Sequence, residues 1–236
     1  MKGRQAAFEE AIQEAPVIAA VKNDMGLAHA LRSECAAVFI LYGTILDIGQ
    51  IVKRIRAAGK LAFVHADLIE GLSNRGEIAV DFLAEATKAD GIISTRPNLI
   101  HHAKELGLIT VQRFFLLDSI SFENVVRQSS HADVIDILPG AMPDVIRCLS
   151  QRVTQPLIAS GLLTDKRDVC GALAAGAVAV STTSEELWEA GLYSSKKSLL
   201  FRKDCDIVQV ETKNCIFLLR KLSQSEHSRI RRFGSL

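Results

Sequence analysis

An α/β fold, a compact (βα)8 TIM-type barrel followed by a C-terminal extension, is predicted by three features of the sequence. Short apolar runs rich in β-branched residues recur about every 20 to 25 residues, the spacing of parallel strands joined by helices. Helical patterns fill the intervals between them. Polar residues and glycines gather just beyond one end of the runs, whereas the opposite ends carry no comparable theme. An open doubly wound sheet is the structural alternative, and the one-ended polarity favours the barrel.

The runs are 17–21, 37–41, 61–65, 91–94, 109–113, 134–138, 157–159 and 178–181. They are apolar on both faces, as burial between a packed interior and a shell of helices requires. Ile45, Ile48, Ile51, Val52 and Ile55 follow helical spacing and turn one stripe inward, and Gly59 suits the end of that helix. Ala-Gly before Lys60 and Ala177, and Leu-Gly before Leu108, repeat one αβ turn chemistry. The predicted domains are a phosphate-ester-binding barrel over 1–191 and a basic extension over 192–236, where apolar islands at 199–201, 207–210 and 216–219 interrupt a polar context.

The 236 residues, 48% apolar and 23% charged, suffice for one large core. No run approaches the roughly 18 to 20 apolar residues of a membrane span. The charged start lacks the apolar segment of a secretory signal, so a cytoplasmic protein is expected. Cys35, Cys148, Cys170, Cys205 and Cys215 are odd in number and form no C-x-x-C pair. Reduced, mostly buried thiols are therefore expected, rather than disulfides or structural zinc. The net charge of +1 conceals an asymmetry: from Leu192 onward ten Lys and Arg face four Asp and Glu, which leaves 18 against 23 in residues 1–191.

In a barrel, residues just past the strand C-termini converge on the face that binds ligands. On that ground Lys22, His65, Asp67, Glu70, Arg96, Arg113, Asp136, Ser160, Gly161, Ser181, Thr182 and Thr183 are the candidate ligand-binding residues. The sharpest feature is Ser160-Gly161-Leu162 after the seventh run and Ser181-Thr182-Thr183-Ser184 after the eighth. Small residues expose backbone N–H groups, a helix N-terminus adds positive potential, and hydroxyls complete a phosphate cradle. A plainer reading, in which Thr183 or Ser184 caps a helix over 185–188, can coexist with it.

Arg96 and Arg113 can each hold an anion, or pair with a neighbour such as Asp136. His65-Ala66-Asp67 can bind a metal or serve as an acid and base, yet no second histidine stands at a strand end. His29, His101 and His102 fall in predicted helices, His131 precedes a strand and His227 is in the extension. A hydrogen-bonded, metal-free His65 is expected. Lys22 is the one strand-end lysine and the cysteines fall in predicted helices or the extension, so no catalytic residue and no cofactor are assigned.

Six blocks carry a family resemblance: PVIAAVKN at 16–23, VHADLIEGL at 64–72, DGIISTR at 90–96, QR at 112–113, ILPG at 137–140 and AVAVSTT at 177–183. In order, from about Pro16 to Trp188, they resemble the bacterial glycerol uptake operon antiterminator regulatory proteins. The resemblance implies a regulator of glycerol catabolism that responds to glycerol 3-phosphate and acts on leader mRNA to prevent premature termination. Ser160 stands where the family favours a glycine, Asp136 where it favours a glutamate, and the extension exceeds the family's length. The phosphate is then expected at Gly161, Thr182 and Thr183, with the hydroxyl groups near His65, Asp67 and Glu70.

No RNP, KH or other nucleic-acid module is legible. Lys53, Arg54 and Arg56 on the second helix and the basic extension are candidate RNA contacts, against the plainer reading of a solvated charged face. Two other functions fit the barrel: a phosphosugar isomerase, epimerase or lyase, and a phosphate-ester binding module that acts through a protein partner. Barrels commonly associate, which leaves a homo-oligomer open.

Overall fold

The computed structural model describes residues 2–73, 76–189, 198–203 and 206–211. The chain divides into two compact units, Met1–Ala190 and Gly191–Leu236.

In the first unit eight parallel strands close on themselves in chain order. They are β1 (Val17–Val21), β2 (Ala37–Ile40), β3 (Leu61–His65), β4 (Gly91–Ser94), β5 (Ile109–Phe115), β6 (Val134–Leu138), β7 (Leu157–Ser160) and β8 (Ala179–Thr182). Val17 of β1 pairs with Val180 of β8, so the sheet has no free edge and the open alternative is excluded. Helix α1 (Lys2–Glu14) precedes β1. The next seven each follow a strand: α2 (Asp24–Ala30), α3 (Ile48–Ala57), α4 (Ile78–Phe82), α5 (Pro97–Glu105), α6 (Ser119–Gln128), α7 (Pro143–Ser150) and α8 (Lys166–Ala174). A 3₁₀ turn, Glu185–Trp188, follows β8.

Element ends differ from expectation where tertiary pairing decides them. β5 runs on to Phe115 because Phe114 and Phe115 find partners in Ile137 and Leu138 of β6. β7 gains Ser160 and β8 shifts to end at Thr182, through the pair Ser160 and Ser181 and the pair Ala19 and Thr182. α3 starts at Ile48 rather than Ile45, whose N–H donates to the Glu70 carbonyl at 3.0 Å and holds it in a loop.

Alternate residues of each strand point inward. Ile18, Ala20, Phe39, Phe63, Ile93, Val111, Val134, Ile158 and Ala179 form one buried cluster. Gly91 makes room for the largest of them: a Cβ there would lie 2.4 Å from the Ile109 carbonyl and 2.6 Å from the Phe63 ring. Overfilling a packed core costs about 1–3 kcal/mol. Gly91→Ala is therefore expected to lower the thermal midpoint by several degrees, read by calorimetry, with the strand content unchanged by circular dichroism.

α1 is a feature that no sequence pattern announced. Its Phe8 and Ile12, one helical turn apart, join the interior cluster, and the Phe8 ring lies 5.0 Å from that of Phe63. Arg4 Nη1 donates to the Gly107 carbonyl at 3.1 Å, at the entry to β5, which places α1 across the N-terminal end of the barrel. The helix is a plug.

Of the cysteines within the described residues only Cys35 is buried, in the turn before β2 rather than in a helix; Cys170 is half-buried and Cys148 exposed. The expectation of mostly buried thiols is corrected accordingly: Cys148 and Cys170 ride on the outer helices α7 and α8. Burial pushes the Cys35 thiol up to about 11. Cys205 and Cys215 lie outside the described residues.

In the second unit β9 (Ser198–Lys203) and β10 (Asp206–Glu211) pair antiparallel and contain the first two apolar islands. The third island, 216–219, lies outside the described residues. Among those residues no helix is long and apolar enough to cross a membrane, and no three His, Cys, Asp or Glu side chains gather as a metal site would require.

Candidate ligand-binding site

One layer above the apolar cluster the inward positions turn polar. His65, Arg113, Asp136, Ser160 and Ser181 follow Phe63, Val111, Val134, Ile158 and Ala179 by two residues, and all five are buried. Strand register sets Arg113 of β5 beside Asp136 of β6, and the Ser160 side chain at the end of β7 reaches the same carboxylate. Arg113 Nε donates to Asp136 Oδ2 at 2.6 Å, and Ser160 Oγ donates to Asp136 Oδ1. One carboxylate thus links the guanidinium to Ser160, the residue before the glycine turn at Gly161. Burial raises the Asp136 carboxyl, against the lowering pull of Arg113 and the Ser160 hydroxyl.

The Arg113 Nη groups donate to no described residue. A buried cation with its outer donors unspent is suited to a bidentate anion.

His65 departs from the expectation of a hydrogen-bonded imidazole: its Nδ1 is buried without a partner among the described residues. The neighbouring guanidinium offers only donors, and the carboxylate two residues on is engaged elsewhere. Burial, with Arg113 second, pushes the imidazole down to about 4. In the folded state His65 is therefore neutral where the unfolded chain, near its ordinary 6.5, takes a proton. Stability is expected to fall as pH drops from 6.5 toward 4, by about 3 kcal/mol for this group. Denaturant unfolding at stepped pH checks this, and His65→Leu should flatten the slope.

Asp67 is that engaged carboxylate. It accepts from Ser94 Oγ at 2.8 Å, Thr95 N–H at 2.7 Å and Thr95 Oγ1 at 2.8 Å, which ties the turn after β3 to the turn after β4. Arg96 comes next, at the head of α5, exposed and with no side-chain partner among the described residues. Lys22 and Glu70 are exposed at the ends of their turns. The Glu70 backbone is bound on both sides, its N–H to the Gly43 carbonyl at 2.9 Å and its carbonyl to Ile45 N–H at 3.0 Å.

The two turns of the expected phosphate cradle are neighbours, because Ser160 of β7 pairs with Ser181 of β8. Gly161 takes φ 73°, a left-handed conformation that glycine adopts without strain, and Leu162 follows at φ 56°, exposed. Gly140 N–H donates to the Ser160 carbonyl at 2.6 Å and the Gly161 carbonyl at 3.0 Å, stitching the turn after β6 onto this pair.

The Thr182 hydroxyl looks inward to the scaffold: it donates to the Leu163 carbonyl and accepts from Ser184 N–H, both at 3.1 Å. Thr183 is exposed, its side chain without a described partner. Ser184 heads the 3₁₀ turn with no side-chain cap, so the plainer capping reading is not what these hydroxyls do.

A brace for this turn went unseen in the sequence. His29 of α2 bonds Glu185 Oε2 through Nδ1 at 2.6 Å and Glu189 Oε1 through Nε2 at 2.5 Å, while Trp188 Nε1 donates to the Thr182 carbonyl at 2.9 Å. The two glutamates raise the His29 pKa, Glu185 foremost. A contact across 156 positions leaves no local signal.

Fold and face together define a TIM-type barrel with a glycine- and hydroxyl-rich C-terminal mouth around a buried arginine. Within that class the chain belongs to the glycerol-3-phosphate responsive antiterminator family, whose sequence profile matches residues 17–188. It is 46% identical over 179 residues to the uncharacterized protein YgcP of Escherichia coli (strain K12), covering 75% of this chain and 93% of that protein. Among solved structures it resembles the glycerol uptake operon antiterminator regulatory protein of Listeria monocytogenes, with 34% identity, TM-score 0.71, and coverage of 75% of this chain and 96% of that one. A glycerol uptake operon antiterminator-related protein of Thermotoga maritima matches at 34% identity and TM-score 0.65, over 73% of this chain and 96% of its own. Barrel enzymes, aldolases among them, share the fold alone at 16% identity or less. The family is one of regulators, and its match does not favour the isomerase or lyase alternative.

Proposed function

We propose that the protein binds glycerol 3-phosphate at the barrel mouth and, according to that occupancy, binds the leader mRNA of glycerol catabolism genes in the cytoplasm to prevent premature termination. The observation that carries the ligand reading is Asp136, bonded to Arg113 on one side and to Ser160 on the other, which links unspent guanidinium donors to the residue before the left-handed Gly161 turn. The phosphate is assigned to Gly161, Ser181, Thr183 and Arg113, with Lys22 and Arg96 adding positive potential at the rim. The glycerol hydroxyls are assigned to His65 and Glu70. Asp67 and Thr182 serve the site by fixing its turns.

Isothermal titration tests the ligand and a gel shift tests the RNA. Glycerol 3-phosphate is expected to bind, glycerol to give no heat and inorganic phosphate to bind weakly. Labelled leader RNA is expected to be retained to a different extent with and without the ligand. Turnover of a triose or pentose phosphate, abolished by His65→Ala, would instead establish the enzyme reading.

A further inference from the structure

Away from the mouth, a groove of about 690 Å³ runs between α3 and the segment that follows α4. Its walls include Ile45, Leu46, Lys53, Arg56, Phe82 and Lys88. Two uncommon backbone features shape it. α4 continues into a single π turn, Leu83–Thr87, and Lys88 then takes φ 61°, a left-handed conformation for a residue with a side chain. π turns cluster at functional sites, and strained backbone persists where the surroundings enforce it.

The charge here opposes its surroundings. Three cations and no acid line the groove, although in residues 1–191 acids outnumber bases 23 to 18. Lys53 is exposed, with no partner among the described residues. Arg56 Nη1 donates to the Lys88 carbonyl at 3.0 Å and its Nε faces Asp90 Oδ1 at 3.7 Å, which fixes the guanidinium along the wall and leaves Lys53 and Lys88 as the groove cations without a carboxylate partner among the described residues. The three cations expected to act together on α3 are divided: Arg54 is bound to Asp24 at 3.1 Å and is not among the groove residues.

The geometry points to this groove as the seat of a single-stranded RNA segment, its phosphates on Lys53 and Lys88 and its bases against Ile45, Leu46 and Phe82. Single strands are held by positive grooves that track the backbone and by apolar or aromatic faces on which bases stack. An amphipathic protein helix would need a row of apolar anchor pockets at i, i+3, i+4 and i+7, whereas here cations interrupt the apolar wall. Position supports the assignment as well. Ile45 and Leu46 belong to the loop between β2 and α3, and that loop is hydrogen-bonded to Glu70 at the ligand face. The groove and the ligand site therefore share one loop. The inference rests on the RNA reading above and adds the surface.

Fluorescence anisotropy on the full chain, with leader RNA of a glycerol uptake operon as the labelled probe and glycerol 3-phosphate present or absent, tests it. Lys53→Glu is expected to weaken binding at least tenfold, and Lys53→Gln to reduce the slope of log affinity against log salt by about one. Arg127→Glu, a charge reversal on α6, is expected to stay within twofold of the unaltered protein, and glycerol 3-phosphate affinity should be unchanged in all three. If the unaltered protein binds RNA and both Lys53 variants match it, the groove is overturned while the regulatory reading stands. If the unaltered protein binds no RNA with or without ligand, both fall. Ultraviolet crosslinking of bound RNA to other elements of the barrel and not to the groove residues Lys53, Phe82 or Lys88 would overturn the inference.

Discussion

Arg113→Met is expected to lower the thermal midpoint by roughly 10 °C and to abolish measurable glycerol 3-phosphate binding. Removing one member of a buried ion pair costs about 3–5 kcal/mol, because the other charge is left without its partner, and in a unit of this size each kcal/mol shifts the midpoint by about 2–4 °C. Asp136 is wholly buried and would keep only Ser160. Adding Asp136→Leu removes the stranded charge, and buried pairs exchanged whole for apolar residues are often neutral or stabilising. The double variant is thus expected to regain most of the lost stability and none of the ligand affinity. Calorimetry and titration on both proteins separate the roles. A double variant that still binds glycerol 3-phosphate would remove Arg113 from the phosphate site.

Gly161→Asp is expected to weaken glycerol 3-phosphate binding by at least 100-fold, about 2.7 kcal/mol, with little loss of fold. Aspartate enters the left-handed region more easily than most side chains, so the backbone at φ 73° is retained at modest cost. The nearest heavy atom to a new Cβ would be Leu138 Cδ2 at 3.3 Å, a side-chain end able to give way. What changes is charge, since a carboxylate would stand where a phosphate is to bind. Gly161→Asn supplies the comparison: the same shape without the charge should retain most of the affinity lost in Gly161→Asp. Equal losses in the two variants would point to space rather than charge, and no loss in either would move the phosphate elsewhere.

The strands were legible because a barrel strand is buried on both faces and so reads as an unbroken apolar run. Their ends were less so: whether Ser160 or Phe115 belongs to a strand depends on a neighbour's register, which no local pattern encodes. The polar mouth was legible as a set, because position at a strand end follows from the runs themselves. Partnership within it was only half visible. Asp136 was named as one possible partner for either arginine, and the register of β5 against β6 assigns it to Arg113. That Asp67 would turn to Ser94 and Thr95, and Thr182 to Leu163, depends on turn conformations that the side-chain types leave open. α1 was missed for a plain reason: Phe8 and Ile12 are its only large apolar residues, and two such residues among many charges read as a solvated helix. The π turn at Leu83–Thr87 has no sequence signature at all.

The barrel is a cup: its interior is filled by side chains from the strands, and α1 seals the base beneath them. With Phe8 seated on Phe63 at the base, a small solute has one doorway, the rim formed by the strand-end turns. Entry and exit share that route, so anything bound across the rim slows both without touching the solute, and the dwell time of a bound metabolite becomes a property that a macromolecule at the doorway can set.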